Sequence, residues 1–294
     1  MAANQDEGVP SLFSLRQEAR AIYGSDAEGY DAGRPDYPDE LYQILTSRCG
    51  LRAGASVLEI GAGTGLATRR LVAAGARVVA VEPDENMAAR LAAAISDHVQ
   101  IVAGTFEQAP LPRDRFDLAV AATSFHWVDQ AVGLPKLGRV IRPGGWAAIW
   151  WTIFDDPDRP DPFRAALGAR IGDEDPGRQR KARFQLDAES RCRDLEETAG
   201  LTDVSHHLIR WTADLDTSQL QALYASMIRI RRRPAADRQR LLDQISLLAD
   251  GDFGGRVQRP FRTILYTARR PDPPERPRDR ADHSAGPRRR QTGG

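Results

Sequence analysis

The sequence predicts an α/β protein whose mostly parallel sheet is covered by helices on both faces. Short, continuously apolar segments alternate with amphipathic segments between residues 56 and 153, which is typical of buried parallel strands and their crossover helices. A glycine-rich loop follows the first apolar segment at once, as where a strand of such a sheet passes into its helix. With 294 residues, the chain is long enough for one large domain with additions.

The predicted elements follow in order along the chain. A helix capped by Asp39 runs to Gly50 and precedes the first strand. Strands are predicted at SVLEIGAG, RVVAVEP, VQIVAG, FDLAVAATSFHW and WAAIWWTIF, and helices between them at LATRRLVAAGA, ENMAARLAAAI and QAVGLPKLGRVI. Further on we expect a helix at DAESRCRDLEETAG, a half-exposed strand at VSHHLIRWTADL, helices at SQLQALYASMIRIRR and ADRQRLLDQISLLAD, and a last strand at FRTILYTARR.

Composition divides the chain into four parts. The first is an N-terminal helix and lid segment at 1–37, and the second is the ligand-binding core at 38–153. Residues 154–270 hold a polar, proline-rich insertion, cap helices and the remaining strands of the same domain. Residues 271–294 are rich in proline and lack apolar periodicity, which predicts a disordered tail.

Charge and cysteine content argue against several classes of partner. The 41 basic and 41 acidic residues balance, so no positive field favours nucleic acid. Cys49 and Cys192 are far apart and lack metal-ligand spacing, so we expect no metal site. No leader pattern opens the chain, and no run approaches the roughly 18 apolar residues of a membrane span. We therefore expect a cytoplasmic monomer or homodimer that acts on a small molecule, without contact to nucleic acid or membrane.

The glycine-rich loop is GAGTGL, residues 61–66. Its backbone N–H groups and the following helix N-terminus should lie at the carboxyl edge of the sheet, where open α/β sheets bind ligands. A dinucleotide fingerprint requires glycine at its sixth position, which is Leu66 here. A Walker-type phosphate loop is excluded because no Gly-Lys-Ser/Thr follows.

Two acidic residues narrow the ligand further. Glu59 precedes Gly61 by two residues, and a carboxylate there would repel a diphosphate but suit a positively charged amino group. Glu82 ends the second strand, 21 residues after Gly61, where an acid can accept hydrogen bonds from both ribose hydroxyls. The sequence thus favours a ligand with a ribose and without a diphosphate.

These segments closely resemble the class I S-adenosylmethionine-dependent methyltransferases. The resemblance covers about residues 22–152 and rests on an ordered set of five segments. These are YDAGRPDYPDELYQIL, VLEIGAGTGLAT, the end of the second strand at Glu82, GTFEQAPLPRDRFDLAVAATSFHWVD, and LPKLGRVIRPGGWAAIW. The first segment is similar to the lid of a small-molecule branch that includes proteins like trans-aconitate methyltransferase. The resemblance implies a Rossmann-like seven-stranded sheet of order 3-2-1-4-5-7-6 with an antiparallel last strand.

The resemblance also implies roles for individual residues. Gly61, Gly63 and Gly65 would approach the methionine part of S-adenosyl-L-methionine, with Glu59 near its amino group or holding the loop in shape, and Glu82 would bind the ribose. The adenine pocket would be formed by Pro83, Asp84 and Met87 on one side and by Thr105, Phe106 and Glu107 on the other.

Methyl transfer from a sulfonium is an in-line displacement that needs positioning and, for some acceptors, a general base. The fourth strand should place Ser124, His126 and Trp127 beside the sulfonium. His126 is the candidate catalytic residue, which either binds or deprotonates the acceptor, or only shapes the pocket. Trp127 and Trp151 are candidate walls of the acceptor site.

The N-terminal lid supplies the other candidates. Tyr30 and Arg34 can reach the carboxylate of the cofactor or an acidic acceptor, since arginine favours planar two-pronged partners. Tyr37 is expected at the hinge of the lid, next to the acceptor.

The function that the sequence favours is methyl transfer from S-adenosylmethionine to a small molecule, with O-methylation preferred on the lid resemblance. Three alternatives remain open at this point. One is a methyltransferase-like protein that binds the cofactor without catalysis, and another is an NAD-type oxidoreductase. The third is a nucleic-acid or protein methyltransferase, against which stand the balanced charge and the segment SFHW in place of an Asn/Asp-Pro-Pro-Tyr element after the fourth strand.

Overall fold

A computed structural model of the protein describes residues 22–95, 99–171 and 183–273. Most of the predicted tail and part of the predicted insertion lie outside these ranges. The strands are β1 Ser56–Ile60, β2 Arg77–Glu82, β3 Val99–Ala103, β4 Phe116–Ala122, β5 Ile141–Ile153, β6 Thr202–Asp216 and β7 Arg256–Arg269.

The helices cover this sheet and form the additions at both ends of the chain. They are α1 Ala27–Gly33, α2 Asp39–Ser47, α3 Leu66–Ala73, α4 Glu85–Ala94, α5 Gln130–Val140, α6 Pro162–Ile171, α7 Arg183–Leu186, α8 Ala188–Arg193, α9 Thr217–Ala225, α10 Ile228–Arg231 and α11 Ala235–Phe253. A 3₁₀ turn spans Phe125–Trp127, and a π-helical turn spans Asp194–Thr198.

Within the described residues, the seven strands form one sheet of order β3-β2-β1-β4-β5-β7-β6. The first five strands are mutually parallel, and β7 runs antiparallel to both β5 and β6. The order and the antiparallel last strand confirm the prediction. The parallel strands end at one edge, so the loops after β1, β2, β4 and β5 meet there.

Several predicted boundaries were wrong. Asp39 is the first residue of α2 rather than its cap, because Pro38 is the N-cap and the Asp39 side chain pairs with Arg70. The fourth strand ends at Ala122, because Thr123 has a left-handed backbone with φ of 56°.

Two further segments differ from the prediction. Strand β5 begins at Ile141 rather than Trp146, with a register break opposite Phe116 and Leu118. The predicted helix at 218–232 is interrupted between α9 and α10, where the Ser226 hydroxyl donates to the Leu223 carbonyl.

Apolar side chains bury both faces of the sheet. One face packs on α5 and the π-helical turn through a cluster that includes Leu137, Leu195 and Tyr266. The other face packs on α2, α3 and α4 through a cluster that includes Leu45 and Leu71. Every residue of β1 is buried, which explains why the sequence of this strand is continuously apolar apart from Ser56 and Glu59.

Strands β6 and β7 continue beyond the carboxyl edge of the sheet. Ile153, the last residue of β5, pairs with Arg262, whereas the β6–β7 pairing continues to Asp216 and Arg256. This projecting pair of strands and helices α6, α9 and α11 share a third apolar cluster. Helix α1 packs closely on α9, since a Cβ atom at Gly33 would lie 2.3 Å from the Ala222 carbonyl oxygen. The additions therefore build a cap above the edge where the loops meet.

Candidate active site

A cavity of about 580 Å³ opens at the carboxyl edge of the sheet, beneath the cap. It is lined by the last residues of four parallel strands, Ile60, Glu82, Ala122 and Ile153, and by the loops that follow them. Side chains of α1 and α10 close the opposite side. This volume lies within the range typical of small-molecule sites.

The three glycines of the loop have different surroundings, although all three have positive φ. A Cβ atom at Gly61 would lie 2.6 Å from the Ser124 Cβ, so this glycine permits close packing of β1 on β4. A Cβ atom at Gly63 would meet nothing within 4 Å, because Gly63 faces the cavity. At Gly65, the N-cap of α3, it would lie 2.5 Å from the Leu91 side chain. The structure therefore places Gly65 against α4, away from the cavity lining.

Glu82 fastens the loop to the tip of β2. Its Oε2 accepts a hydrogen bond from the Gly63 amide at 2.7 Å, and its Oε1 accepts one from the Asp84 amide at 2.9 Å. The residue is 6% exposed and lines the cavity. Its carboxylate is thus fixed in direction at the cavity wall, where its remaining lone pairs can accept from a ligand hydroxyl.

Glu59 lies beneath the loop rather than in the cavity lining. It is fully buried, and its Oε2 accepts a hydrogen bond from the Thr68 hydroxyl at 2.6 Å, which links β1 to the first turn of α3. Its Oε1 has no hydrogen-bond partner among the described residues. Burial raises the pKa of Glu59 to about 8, with a further increase from the nearby Glu82 charge, against the lowering effect of the Thr68 hydrogen bond. Of the two roles expected for Glu59, this position favours holding the loop.

Two apolar side chains, Met87 and Phe106, face the cavity beyond Glu82 and are 4% and 3% exposed. Asp84 caps α4 by accepting from the Met87 amide at 3.0 Å, which sets the start of that helix. Lys136 lies over the Phe106 ring at 5.3 Å and donates to the Glu107 and Ala109 carbonyls, which holds the loop after β3. Pro83 and Thr105 complete this end of the cavity.

Glu107 lines the cavity near Phe106, and only one of its two carboxylate oxygens accepts a hydrogen bond within the described residues. Its Oε1 accepts a hydrogen bond from the Asp129 amide at 2.8 Å. Its Oε2 is buried and has no partner in the described part of the chain. A buried carboxylate oxygen of this kind is costly to leave unpaired, so it favours a ligand with an N–H or O–H group.

Helix α1 and the segment after it form one wall of the cavity, and they belong to the N-terminal helix and lid segment that the sequence predicts at 1–37. The Arg34 guanidinium lies 4.9 Å from the centroid of the Tyr30 ring and 4.8 Å from that of Phe154. It donates to the Ser226 carbonyl, but its buried Nε has no partner, and within 4 Å no carboxylate of the described residues pairs with it. Arg34 is therefore a cation held in an aromatic slot of the cavity wall.

Tyr37 lies under the lid against the sheet. Its ring packs edge-on to Trp150 at 5.5 Å, and its hydroxyl contacts the Thr123 hydroxyl at 3.4 Å. Burial raises the pKa of the Tyr37 phenol, so the hydroxyl stays protonated. Ser124, next to Thr123, donates to the Ile60 carbonyl and joins the ends of β4 and β1.

His126 and Trp127 lie on the 3₁₀ turn after β4, and Trp151 lies in β5. All three line the cavity, with the rings of His126 and Trp127 4.6 Å apart. The Trp151 indole Nε1 donates a hydrogen bond to His126 Nδ1 at 3.0 Å. Neighbouring Trp150 faces the opposite side of β5 and is fully buried, as expected from strand alternation.

The structure thus brings together in one cavity all the predicted site residues except Glu59 and Gly65. Sequence reasoning missed Thr123, Phe154 and Arg229, which also line it. Phe154 directly follows β5, so the rule that ligands bind at strand ends would have found it. Arg229 comes from α10 in the distant cap, and no local pattern marks it.

The described residues contain neither a candidate metal site nor a helix that could span a membrane. In residues 22–95, 99–171 and 183–273, no group of three or more histidine, cysteine or acidic side chains could hold a metal ion. None of the helices in these ranges has the length and apolarity needed to cross a bilayer.

Comparison with known proteins gives consistent matches. Residues 58–149 match a family model described as a methyltransferase domain. An uncharacterized methyltransferase of Mycobacterium tuberculosis is 36% identical over 234 residues, which cover 79% of this chain and 87% of that protein.

Two solved structures share the fold. A protein of Anabaena variabilis, assigned as a methyltransferase of an antibiotic biosynthesis pathway, aligns with a TM-score of 0.56 at 16% identity, covering 80% of this chain and 98% of that one. A phosphoethanolamine N-methyltransferase of Haemonchus contortus, solved with S-adenosylhomocysteine and phosphomonomethylethanolamine, aligns with a TM-score of 0.52 at 14% identity, covering 90% and 61%.

Proposed function

The chain belongs to the class I S-adenosylmethionine-dependent methyltransferases, and on this premise we propose that it methylates a small molecule bound in the cavity. The proposed reaction is an in-line displacement from S-adenosylmethionine, with oxygen as the favoured acceptor atom. Family membership excludes the oxidoreductase alternative.

One observation carries the proposal. The cavity joins the cofactor-type end, formed by the glycine loop, Glu82 and Phe106, to a second end lined by His126 and Trp151. A nucleoside and an acceptor can therefore occupy one enclosed space. Such an arrangement supplies positioning and excludes water, which are the main requirements of a displacement at a methyl carbon.

The adenosine end fits the cofactor in three respects. Gly63 leaves open space beside the Glu82 carboxylate, which suits a ribose with two hydroxyl donors. The Phe106 ring and the Met87 thioether offer apolar contact to the face of a base. The unpaired Oε2 of Glu107 suits the exocyclic amino group of adenine, which is a donor.

The cavity also offers groups that suit the amino-acid part of the cofactor. Arg34 presents a cation without a carboxylate partner among the described side chains, and its buried Nε needs an acceptor. We assign it to the carboxylate of the cofactor, with Tyr30 holding the guanidinium in place. Glu59 acts from beneath by fixing the loop through Thr68.

When bound, the cofactor supplies a methyl group made electrophilic by its sulfonium. The protein's own contribution is to align the acceptor and to close the site. Tyr37, Trp127 and Trp151 wall the acceptor end, and helix α1 covers it.

The test is release of S-adenosylhomocysteine from S-adenosylmethionine across a panel of small acids, phenols and amines. Glu82→Ala should abolish turnover of any active acceptor, whereas Glu85→Ala, an exposed acid on the next helix, should not. Cofactor binding with no turnover across the panel would favour the non-catalytic alternative.

A further inference from the structure

The hydrogen bond between Trp151 and His126 determines which protons the imidazole carries. An indole N–H is only a donor, so His126 Nδ1, at 3.0 Å, has to be the acceptor. A neutral imidazole whose Nδ1 accepts carries its single proton on Nε2. In this tautomer Nε2 is a donor and has no lone pair with which to remove a proton from an acceptor.

The orientation of Trp151 is fixed by its surroundings. The residue is 3% exposed, and its ring packs edge-on to Phe184 at 5.9 Å and to Tyr266 at 6.1 Å. Its strand lies between β4 and β7, with the Trp151 backbone paired to Ile264. The indole therefore cannot turn away from His126 without disrupting the core, and the tautomer is set by the fold.

Other groups at this end of the cavity also lack the character of a base. Arg229 is a cation, and burial raises the pKa of the Tyr23 and Tyr37 phenols, which keeps both hydroxyls protonated.

The carboxylates that line the cavity within the described ranges are Glu82, Asp84 and Glu107. Each of them accepts at least one backbone N–H at the adenosine end. None of these groups is a base positioned at the acceptor.

We propose that Trp151 acts as a positioning residue that holds His126 as an N–H donor, and that the acceptor is a carboxylate oriented by this donor. This inference rests on the proposed function and specifies its acceptor. The new bond joins a carboxylate oxygen to the methyl carbon while the carbon–sulfur bond breaks and its electron pair stays on sulfur. The anion and the sulfonium become a neutral ester and a neutral thioether, and no proton has to move.

The tautomer can be measured without any acceptor. In protein labelled with ¹⁵N-histidine, a long-range proton–nitrogen spectrum at neutral pH should show His126 with Nε2 protonated and Nδ1 unprotonated. The signal is assigned by its loss in His126→Gln. Trp151→Phe should produce a mixture of tautomers, and Trp146→Phe, which alters a tryptophan of the same strand outside the cavity lining, should leave the signal unchanged. A protonated Nδ1 in the unaltered protein overturns the inference.

Kinetics provide a second test that separates a donor from a base. His126→Gln keeps an N–H donor and should retain activity within a few-fold, whereas His126→Leu should lose about tenfold to a hundredfold in kcat/KM, as expected for a hydrogen bond to a charged group. His206→Gln, at an exposed position of β6, is the matched control. Equal and complete loss in both His126 variants would indicate a base and contradict the inference.

The acceptor class is tested with phenylacetate, adipate, phenol and benzylamine. Turnover of the two carboxylates supports the inference, and turnover of phenol or benzylamine alone overturns it. If none of the four compounds is methylated although S-adenosylhomocysteine binds, the result counts against both the carboxylate acceptor and the proposed function. A Nδ1-protonated His126 in an active enzyme counts against the present inference alone.

Discussion

The Gly63 amide donates a hydrogen bond to Glu82 Oε2 at 2.7 Å, so the loop after β1 is tied to the tip of β2. Glu82 therefore has two tasks. It shapes the glycine loop before any ligand arrives, and it presents its remaining lone pairs to the cavity. Because the loop is organised in advance, binding does not have to supply the free energy of ordering it.

The glycines of the loop should respond differently to substitution. Gly61→Ala should destabilise the fold by about 2–5 kcal/mol, since it adds a clash with Ser124 to the strain of a left-handed backbone. Gly63→Ala should cost only about 1–2 kcal/mol of stability from that strain. Its methyl group occupies ligand space, however, so cofactor affinity should fall about tenfold or more. Urea unfolding and calorimetry of both variants check this, and equal stability losses would contradict it.

Glu59 should make the stability of the protein depend on pH. Burial raises its pKa from 4.5 to about 8, so between these values the unfolded chain releases a proton that the folded protein keeps. The contribution of Glu59 to stability is therefore fully present below pH 4.5 and is lost as pH rises towards 8. Glu59→Gln retains an acceptor for Thr68 and should remove this dependence. Urea unfolding at pH 5 to 8 should show wild type losing stability relative to the variant, and parallel curves would refute the assignment.

The lid is held to the loop by Asp31, whose Oδ1 accepts from the Thr64 hydroxyl at 2.7 Å and from Arg69 at 3.0 Å. Asp31→Ala should speed dissociation of S-adenosylhomocysteine about fivefold, from the loss of about 1 kcal/mol of hydrogen bonding. Asp36→Ala removes an exposed ion pair to Arg70 on the same segment and serves as control. Stopped-flow dissociation rates measure the effect, and identical rates in both variants would show that α1 does not retain the ligand.

Arg34 is assigned to the carboxylate of the cofactor rather than to the acceptor. Arg34→Met keeps apolar contact with Tyr30 and Phe154 but removes the charge. Affinity for S-adenosylmethionine should fall about tenfold to a hundredfold, while affinity for methylthioadenosine, which lacks the amino-acid end, should stay the same. Unchanged binding of both ligands would move Arg34 to the acceptor site.

Much of the fold could be predicted because local patterns and the family resemblance agree. The strands β1, β2 and β4 are mostly apolar and mostly buried, and the glycine loop marks the carboxyl edge. Sequence patterns could not show that Gly65 lies outside the cavity lining, unlike Gly61 and Gly63. All three share a positive φ, but only the packing of α3 on α4 reveals that Gly65 faces Leu91.

The acceptor end was less predictable, because it is assembled by long-range contacts. Arg229 reaches the cavity from α10, and the bond from Trp151 to His126 crosses from β5 to the turn after β4. The sequence identified His126 as a candidate base or binder, and only the position of its neighbour distinguishes these roles. The end of β4 depends on the left-handed backbone of Thr123, for which the residue type gives no signal.

The central claim is that the cavity binds S-adenosylmethionine with its ribose on Glu82. The most direct measurement is a calorimetric titration of S-adenosylmethionine into wild type and Glu82→Ala, with Glu85→Ala as control. The account predicts saturable binding to wild type and to the control, and affinity at least tenfold weaker in Glu82→Ala, as expected for the loss of hydrogen bonds to a charged group. Equal affinity in all three proteins, or no binding to wild type, would contradict it.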